Sequence, residues 1–388
     1  MKILFLTTIL LSKNRNGGEV ASQCFIDGLR EGGHEVKVVG YLRKGDILEH
    51  NSQNTIVVEE RYTETSKNKV YPLIWFILSI LLNLPYSAAK YYSSKYKQIV
   101  KQLLATDKYD LVIIDHSQLS WLKNVVNSQT KLIFVAHNIE HENYQENSRN
   151  ASNLVAKSVY QREATLMAKQ ENKLAMKAEQ VWTLTHYDAK YFAKFKSTNQ
   201  VKVFSLPPSK GKLPNKPPKK QCDIGLLASW SWQANREALQ WFLDKVYPLL
   251  PTDFSIQVAG KGAEWLKEKY PQIHYLGVVP DAQEFMAQAK VFAIPTLSGG
   301  GIQIKTLDAL ASGSIIVATP VGLRGIDNLP ATVKVAQNPE EFAHCLKTAV
   351  TSPTSDQAFA ESRHWSYQRQ EQFNKELMQG INEQTLKM

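Results

Sequence analysis

Short apolar runs alternate along the chain with stretches whose apolar residues recur at helical spacing. The runs rich in Val, Ile and Phe predict strands buried on both faces. In the first half they are KILFLTTIL (2–10), VKVVGYL (36–42), YDLVIIDH (109–116), TKLIFVAH (130–137), QVWTLT (180–185) and VKVFSL (201–206). Between the first two, Val20, Phe25, Ile26 and Leu29 follow a helical period. Strands that alternate with helices predict a parallel sheet covered by helices.

A polar stretch, SLPPSKGKLPNKPPKKQ (205–221), interrupts this alternation and has the composition of a linker. The alternation then resumes with CDIGLLAS (222–229), FSIQVAG (254–260), IHYLGVV (273–279), VFAIPT (291–296) and SIIVATP (314–320). We therefore expect an α/β fold of two tandem doubly wound Rossmann-like domains facing a cleft that holds the ligand. The predicted parts are a first domain (1–204), a linker (205–221), a second domain (222–355) and a terminal helix that packs back toward the first domain (356–388).

Composition narrows the class of protein. The 388 residues include three cysteines, Cys24, Cys222 and Cys345, at spacings that form neither a disulfide framework nor a metal site. The opening residues MKILFLTTIL favour a buried first strand over a signal peptide. We therefore expect a cytoplasmic protein.

The positive charge belongs to the first half of the chain. Residues 1–220 hold 32 Lys and Arg and 19 Asp and Glu, whereas residues 221–388 hold 14 and 17. A basic domain attracts nucleic acid, an anionic membrane or a phosphorylated substrate. Nucleic acid is not expected as a partner, because the aromatic residues do not form a stacking strip.

An apolar stretch in the first half has two interpretations. Residues 70–82 are nearly all apolar but are fewer than the ~20 that a membrane span needs. Trp75, Tyr86, Tyr91 and Lys90 lie in or beside it, as is typical of a membrane interface. This set is therefore predicted as an acceptor or membrane side, peripheral on the inner face of the membrane. The alternative is a helix packed inside the first domain, with lysines solvating its ends.

A glycine-rich segment, PTLSGGGIQIKTLDALASG (295–313), follows a predicted strand and leads into a predicted helix, 302–312. A glycine loop at a helix N-terminus exposes backbone N–H groups to a phosphate. Lys305 adds a full charge, and Asp308 can accept hydrogen bonds from sugar hydroxyls. The segment thus predicts a nucleotide or nucleotide-sugar site. A tight turn with an exposed Lys305–Asp308 pair is the alternative.

His137 ends a predicted strand, where it is either functional or a buried histidine satisfied by the backbone. His141 follows four residues later, but no third ligand is near, so we expect no metal.

Several segments together resemble family 4 retaining glycosyltransferases, which have the GT-B fold. Residues 295–313, continuing through IIVATPVGLRGI, look like the donor-binding signature of a branch with a Gly-Gly-Gly-x-x-x-Lys motif. The other similar segments are FLTTILLSKNRNGGEVAS, FVAHNIEHENY, LLASWSWQANREALQWFLDKVYPLL, VAGKG, YLGVVPD and WSYQRQEQF. The similarity extends over nearly the whole chain.

The resemblance implies roles for individual residues. His137 would face the transferred sugar, Lys305 would contact the donor phosphates, and Asp308 would hold the ribose hydroxyls. The donor-binding set that it implies is Gly17, Gly18, Asn235, Lys261, Val279, Gly300, Gly301, Ile302, Gln303, Lys305 and Asp308, with His137 and Lys305 as catalytic residues.

The resemblance also implies the reaction. A hexose would move from a UDP- or GDP-sugar, a co-substrate, to a glycan, lipid-linked or other acceptor with retention of configuration, using no cofactor and no metal. One position departs from the family pattern: Gly300 stands where many members carry a glutamate. The alternative is therefore a catalytically weak or inactive GT-B scaffold that binds a nucleotide or a partner.

Overall fold

The computed structural model describes residues 1–12, 17–48, 54–63, 70–127, 129–209, 216–352 and 356–385. The chain forms two compact units, one of Met1–Ser205 with Phe373–Met388 and one of Leu206–Gln372. Each unit contains a parallel sheet with helices, which confirms the predicted α/β class. Among the described residues, no helix is both long enough and apolar enough to cross a membrane.

The first unit is built on a seven-stranded parallel sheet with strand order β3-β2-β1-β4-β5-β6-β7. The strands are β1 (Lys2–Ile9), β2 (Glu35–Arg43), β3 (Thr55–Arg61), β4 (Leu111–Asp115), β5 (Lys131–Ala136), β6 (Gln180–Thr183) and β7 (Val201–Val203). The helices are α1 (Gly17–Glu31), α2 (Val70–Leu81), α3 (Tyr86–Tyr91), α4 (Ser94–Thr106), α5 (Glu140–Arg149), α6 (Leu154–Lys177) and α7 (His186–Phe192). Every residue of β4 is buried, in accord with its continuous apolar run.

The second unit is built on a six-stranded parallel sheet with strand order β10-β9-β8-β11-β12-β13. Its strands are β8 (Cys222–Leu227), β9 (Ile256–Ala259), β10 (Ile273–Gly277), β11 (Ala289–Ile294), β12 (Ile315–Ala318) and β13 (Val333–Val335). Its helices are α8 (Gln233–Trp241), α9 (Leu266–Lys269), α10 (Ala282–Gln288), α11 (Ile304–Ala311) and α12 (Pro339–Thr351). The helix predicted from residue 302 thus begins two residues later, at Ile304.

The last helix, α13 (Asp356–Thr385), contributes residues to both units. Its Phe373, Leu377 and Ile381 are almost fully buried in the first unit. The Phe373 ring meets the ring of Phe25 edge to face at 5.4 Å. These three side chains of α13 are therefore part of the core of the first unit.

The second unit also includes described residues of the segment predicted as a linker. The backbone N–H of Ser209 donates to Asp308, and the Lys220 ammonium donates to the carbonyl of Ala287. Residues 210–215 lie outside the described part of the chain.

Candidate functional site

In the second unit the predicted donor residues follow the carboxyl ends of neighbouring parallel strands. Asn235 comes after β8, Lys261 after β9, Val279 after β10 and the Gly300–Gln303 segment after β11. Because β10, β9, β8 and β11 are consecutive in the sheet, these segments meet at one edge. This is the edge at which open α/β sheets bind ligands.

The glycine loop between β11 and α11 adopts backbone conformations that favour glycine. Gly299 has φ 121° and Gly301 has φ 66°. Gly300 is exposed, whereas Gly301 is buried and Ile302 is half-buried. Gln303 precedes the helix, and its side-chain oxygen accepts a hydrogen bond from the Thr296 hydroxyl instead of capping the helix. The first-turn N–H groups of α11 therefore receive no side-chain cap from Gln303.

Lys305 lies in the first turn of α11 and contacts a residue 70 positions away in the sequence. Its ammonium donates to the side-chain oxygen of Asn235 at 2.9 Å, and the amide nitrogen of Asn235 donates to the Ser229 carbonyl at 3.0 Å. Burial lowers the pKa of Lys305 to about 8. Within the described ranges no carboxylate forms an ion pair with it. A partly buried cation beside a helix N-terminus is suited to an anionic ligand.

Asp308 lies one turn further along α11, and its carboxylate is already engaged. It accepts hydrogen bonds from the backbone N–H of Ser209 at 2.7 Å and from the Ser209 hydroxyl at 3.0 Å. The Gln283 amide lies 3.4 Å from the same carboxylate. These bonds fix the carboxylate, so a ribose would have to use the remaining lone pairs or displace a partner.

The other predicted donor residues differ in exposure. Lys261 is exposed, and its carbonyl accepts a hydrogen bond from the Trp230 N–H at 2.8 Å. Val279 is half-buried, whereas the preceding Val278 is 76% exposed. An exposed apolar side chain at this edge is available for stacking against a flat ligand.

Sequence reasoning missed one cation in the second unit. Arg324 follows β12, and its guanidinium donates to the carbonyl of Gly299 at 2.7 Å. This bond ties the loop after β12 to the glycine loop after β11. The VGLRGI segment that contains Arg324 was part of the family resemblance, but nothing in the sequence singled out this side chain.

In the first unit Asp115 is the centre of a buried polar cluster at the ends of β4 and β5. Its fully buried carboxylate accepts hydrogen bonds from Thr7 at 2.7 Å and from Ser22 at 2.6 Å. His137 Nε2 lies 2.6 Å from the other carboxylate oxygen. Burial raises the pKa of Asp115, but the charges of His116 and His137 and the hydrogen bonds from His137 and Ser22 hold it well below its usual range. The position of His137 at a strand end was visible in the sequence, but the carboxylate that holds its ring was not.

His116 completes this cluster. Its ring stacks on that of His137 with the ring centroids 3.8 Å apart. Its φ of 74° is unusual for a residue with a side chain. Burial lowers the pKa of His116 to about 4, so this ring is neutral at pH 7. Strain and an ionisable cluster at a strand end are typical of functional sites.

Asp115, His116 and His137 also offer potential metal-ligand atoms that lie within 4.8 Å of one another. The Asp115 carboxylate, however, already accepts hydrogen bonds from Thr7 and Ser22. A metal would have to compete with these bonds, so the cluster fits a hydrogen-bonded network better than a metal centre. His141 does not join it, because its Nδ1 pairs with Glu171 at 2.8 Å.

The predicted glycines of the first unit are linked to this cluster through Ser22. Gly17 and Gly18 begin α1, and the Gly18 carbonyl lies 3.0 Å from the Ser22 hydroxyl that contacts Asp115.

Glu140, three residues after His137, is a buried carboxyl group with a raised pKa. It begins α5, where burial and the Glu171 carboxylate raise its pKa to about 7. Glu140 is an acid–base candidate that sequence reasoning missed, because its pKa depends on a residue of α6.

The set predicted as the acceptor or membrane side lies together in the first unit. The rings of Trp75 and Tyr86 meet edge to face at 6.0 Å, and the Lys90 ammonium lies over the rings of Trp75 and Tyr91 at 5.7 and 5.3 Å. Trp75 is 3% exposed, so its ring packs inside the unit and is not presented to a partner.

Comparison with known proteins finds a family match in the second unit. Residues 221–352 match the family described as "Glycosyl transferases group 1". This match lies within the second unit, Leu206–Gln372. A curated relative from Klebsiella pneumoniae, an uncharacterized 44.6 kDa protein in the cps region, is 23% identical over 118 residues. That match covers 27% of this chain and 30% of the relative.

Solved structures resemble the whole chain and establish the GT-B fold. The chain is similar to Anabaena Alr3699/HepE in complex with UDP and glucose, with a TM-score of 0.63, 15% identity, and coverage of 98% of this chain and 99% of that one. For sucrose-phosphate synthase from Thermosynechococcus elongatus the TM-score is 0.65 and the identity 14%, with coverage of 99% of this chain and 98% of that one. For WaaG, a glycosyltransferase involved in lipopolysaccharide biosynthesis, the TM-score is 0.59 and the identity 16%, with coverage of 94% of this chain and 95% of that one. Two doubly wound domains in the GT-B class were expected from the sequence.

Proposed function

We propose that the protein is a glycosyltransferase that transfers a hexose from a nucleotide-diphosphate sugar, with retention of configuration and without a metal. The observation that carries this proposal is Lys305, a cation without a carboxylate partner among the described residues, beside the glycine loop of a group 1 domain. The likeness to a structure that holds UDP and glucose supports a uridine nucleotide as the first donor to test.

The proposed chemistry is a substitution at the anomeric carbon of the donor sugar. The bond from that carbon to the phosphate oxygen breaks through an oxocarbenium-like state, and the acceptor hydroxyl oxygen bonds to the same face. The leaving phosphate takes the hydroxyl proton, so no separate protein base is required. Negative charge grows on the phosphate, where the N-terminal N–H groups of α11 and the Lys305 ammonium stabilise it. Loss of one hydrogen-bond donor from an oxyanion hole, which stabilises developing negative charge in the same way, costs roughly 2.7–4 kcal/mol of barrier.

In this proposal the first unit supplies the acceptor side and His137. The Asp115 carboxylate occupies Nε2 of His137, which leaves Nδ1 as the nitrogen for a sugar hydroxyl. Asp115 is thus a positioning residue that acts through His137. The acceptor is a glycan or a lipid-linked glycan, and the basic first half of the chain suits work at the inner face of an anionic membrane.

A panel of UDP- and GDP-sugars tests the reaction. A transferase releases free nucleotide from one donor, and an acceptor extract raises the rate. Excess EDTA should leave that rate unchanged, and NMR of the product should show the anomeric configuration of the donor. Lys305→Met should reduce the rate at least tenfold. A rate that requires added metal, or an inverted product, would contradict the corresponding part of the proposal.

A second candidate is a GT-B scaffold that binds a nucleotide or a partner without turnover. Two observations favour it: Gly300 offers no carboxylate to the sugar, and the Asp308 carboxylate is engaged by Ser209. Calorimetry with UDP and GDP, combined with the nucleotide-release assay, separates the two candidates. Micromolar nucleotide binding with no nucleotide release from any sugar donor or acceptor extract would support the scaffold.

A further inference from the structure

The outward side of α2 is an unusually apolar surface. Only Trp75 and Ser79 of this helix are buried. Leu73 is 60% exposed, Phe76 52% and Leu81 73%. The other exposed large apolar side chains of α2 are Val70, Tyr71, Ile74, Ile77 and Ile80, and Leu82 directly follows the helix. Large apolar side chains scattered singly on a surface are ordinary, but a contiguous set of this kind marks an interaction site.

The start of α6 carries a second apolar set. Leu154 is 80% exposed and Val155 75%, and Val159 is also exposed. Val155, Val159 and Arg162 recur at steps of four and three, so they share one stripe of the helix. The Arg162 guanidinium donates to the hydroxyl of Ser79 at 3.0 Å and to its carbonyl at 3.2 Å. The stripe that carries Val155 and Val159 therefore leads to the C-terminal part of α2.

The charge around this surface is mainly positive, and the nearby Glu163 is buried and ion-paired with Arg162. From residue 70 to residue 106 the sequence contains Lys90, Lys95, Lys97 and Lys101 but no Asp or Glu. Lys95 and Lys101 are exposed on α4, and Lys157 is exposed on α6. Lysines beside an apolar face attract anionic headgroups, each by about 1 kcal/mol near a charged membrane.

We infer that α2 and the first turns of α6 form a membrane-docking surface that lies in the headgroup region of a bilayer containing anionic phospholipid. A 12-residue helix is ~18 Å long, shorter than the ~30 Å hydrocarbon core, so α2 lies in the plane of the membrane and does not span it. The exposed apolar side chains of α2 insert into the membrane interface, and the lysines contact the phosphate groups of the lipids. The Arg162–Ser79 bonds hold the two helices in one surface.

Vesicle co-sedimentation of the full chain tests this inference. We expect binding to vesicles of phosphatidylcholine with phosphatidylglycerol, and at least tenfold weaker binding for the double variant Leu73→Gln/Phe76→Gln. Leu154→Gln/Val155→Gln should reduce binding severalfold. Lys95→Gln/Lys101→Gln should reduce it only on anionic vesicles and only at low salt. Val335→Gln/Tyr367→Gln, equally exposed apolar positions of the second unit, is the matched control and should bind as the parent does.

Two outcomes would overturn the inference. One is vesicle binding that is absent or that the α2 variant leaves unchanged. The other is a dimer in lipid-free solution that the α2 variant dissociates, measured by light scattering, because this face would then belong to a second copy. Nucleotide binding by each variant is measured in parallel. It belongs to the second unit and should be unchanged, so failure here is distinct from failure of the proposed transferase.

Discussion

At the scale of single residues, Lys305 is the side chain on which the proposed donor site depends. Its ammonium is partly buried and hydrogen-bonded to the neutral amide of Asn235. Lys305→Met should raise the dissociation constant of UDP roughly tenfold to 100-fold, because a charge-assisted hydrogen bond contributes about 1.5–3 kcal/mol. Isothermal titration calorimetry measures the change. Lys290→Met, which removes a lysine paired with Asp223 in the same unit, should leave UDP affinity within about twofold.

The pKa of Lys305 predicts a pH dependence of the same binding. The free side chain is protonated below about pH 8 and loses its charge above it. A bound phosphate holds the proton, so affinity is linked to protonation and falls as the pH rises past 8. We expect the dissociation constant of UDP to rise roughly tenfold between pH 7 and pH 9. Lys305→Arg keeps its charge in this range and should flatten the profile; an equally steep profile would assign the titration to another group.

The sequence indicated several individual site residues but not the residues to which they are hydrogen-bonded. The glycine loop and Lys305 were identified from the chemistry of a helix N-terminus. The bond from Lys305 to Asn235 and the bonds from Thr7 and Ser22 to Asp115 were not, because each of them joins residues at least 70 positions apart. Asp115 was visible only as the polar end of a buried strand. A pattern along the chain shows which residues end a strand, but not which side chains converge there.

At the scale of elements, the central strands were predicted and two edge strands were missed. β3 has mostly half-buried residues, and β13 has three residues of which two are exposed. A strand at the edge of a sheet has a neighbouring strand on one side only and is less buried. The sequences of β3 and β13 therefore lack the continuous apolar run that identified β4 and β5. The helix predicted to end at residue 312 ends at Ala311, and Gly313 follows its C-cap with a φ of 81°, which is typical of a glycine at a helix end.

Gly313 provides a test of how such a helix end is stabilised. Gly313 and Gly33 both have φ 81°, but a Cβ at Gly313 would lie 2.3 Å from a Phe359 ring carbon, whereas nothing lies within 4 Å at Gly33. Gly33→Ala should cost about 1–2 kcal/mol from backbone strain. Gly313→Ala should cost roughly 2–4 kcal/mol, because displacement of Phe359 adds to that strain. Urea denaturation followed by hydrogen exchange in peptides of each unit measures both, and equal costs would show that Phe359 yields freely.

At the scale of the whole molecule, the first unit is built from two segments that are separated in the sequence. The first unit contains the start of the chain and residues from Phe373 onward, with the second unit between them. Phe373 lies against Phe25 and Phe204, and a Cβ at Gly380 would meet Trp182 at 3.4 Å. The sequence analysis expected a terminal helix that packs back toward the first domain, but the pattern of this helix does not show which side chains it contacts.

This packing predicts which unit is destabilised by substitutions in the last helix. Phe373→Ala/Leu377→Ala should destabilise the first unit by roughly 5 kcal/mol or more, because each truncation of a fully buried side chain costs about 2–5 kcal/mol. Hydrogen exchange should increase first in α1 and β6, which surround these residues, while UDP binding by the second unit persists. Lys375→Ala/Gln379→Ala changes exposed positions of the same helix and should leave exchange unchanged. If exchange rose instead in β8 to β12, the helix would stabilise the second unit, and the assignment of its last turns to the first unit would be wrong.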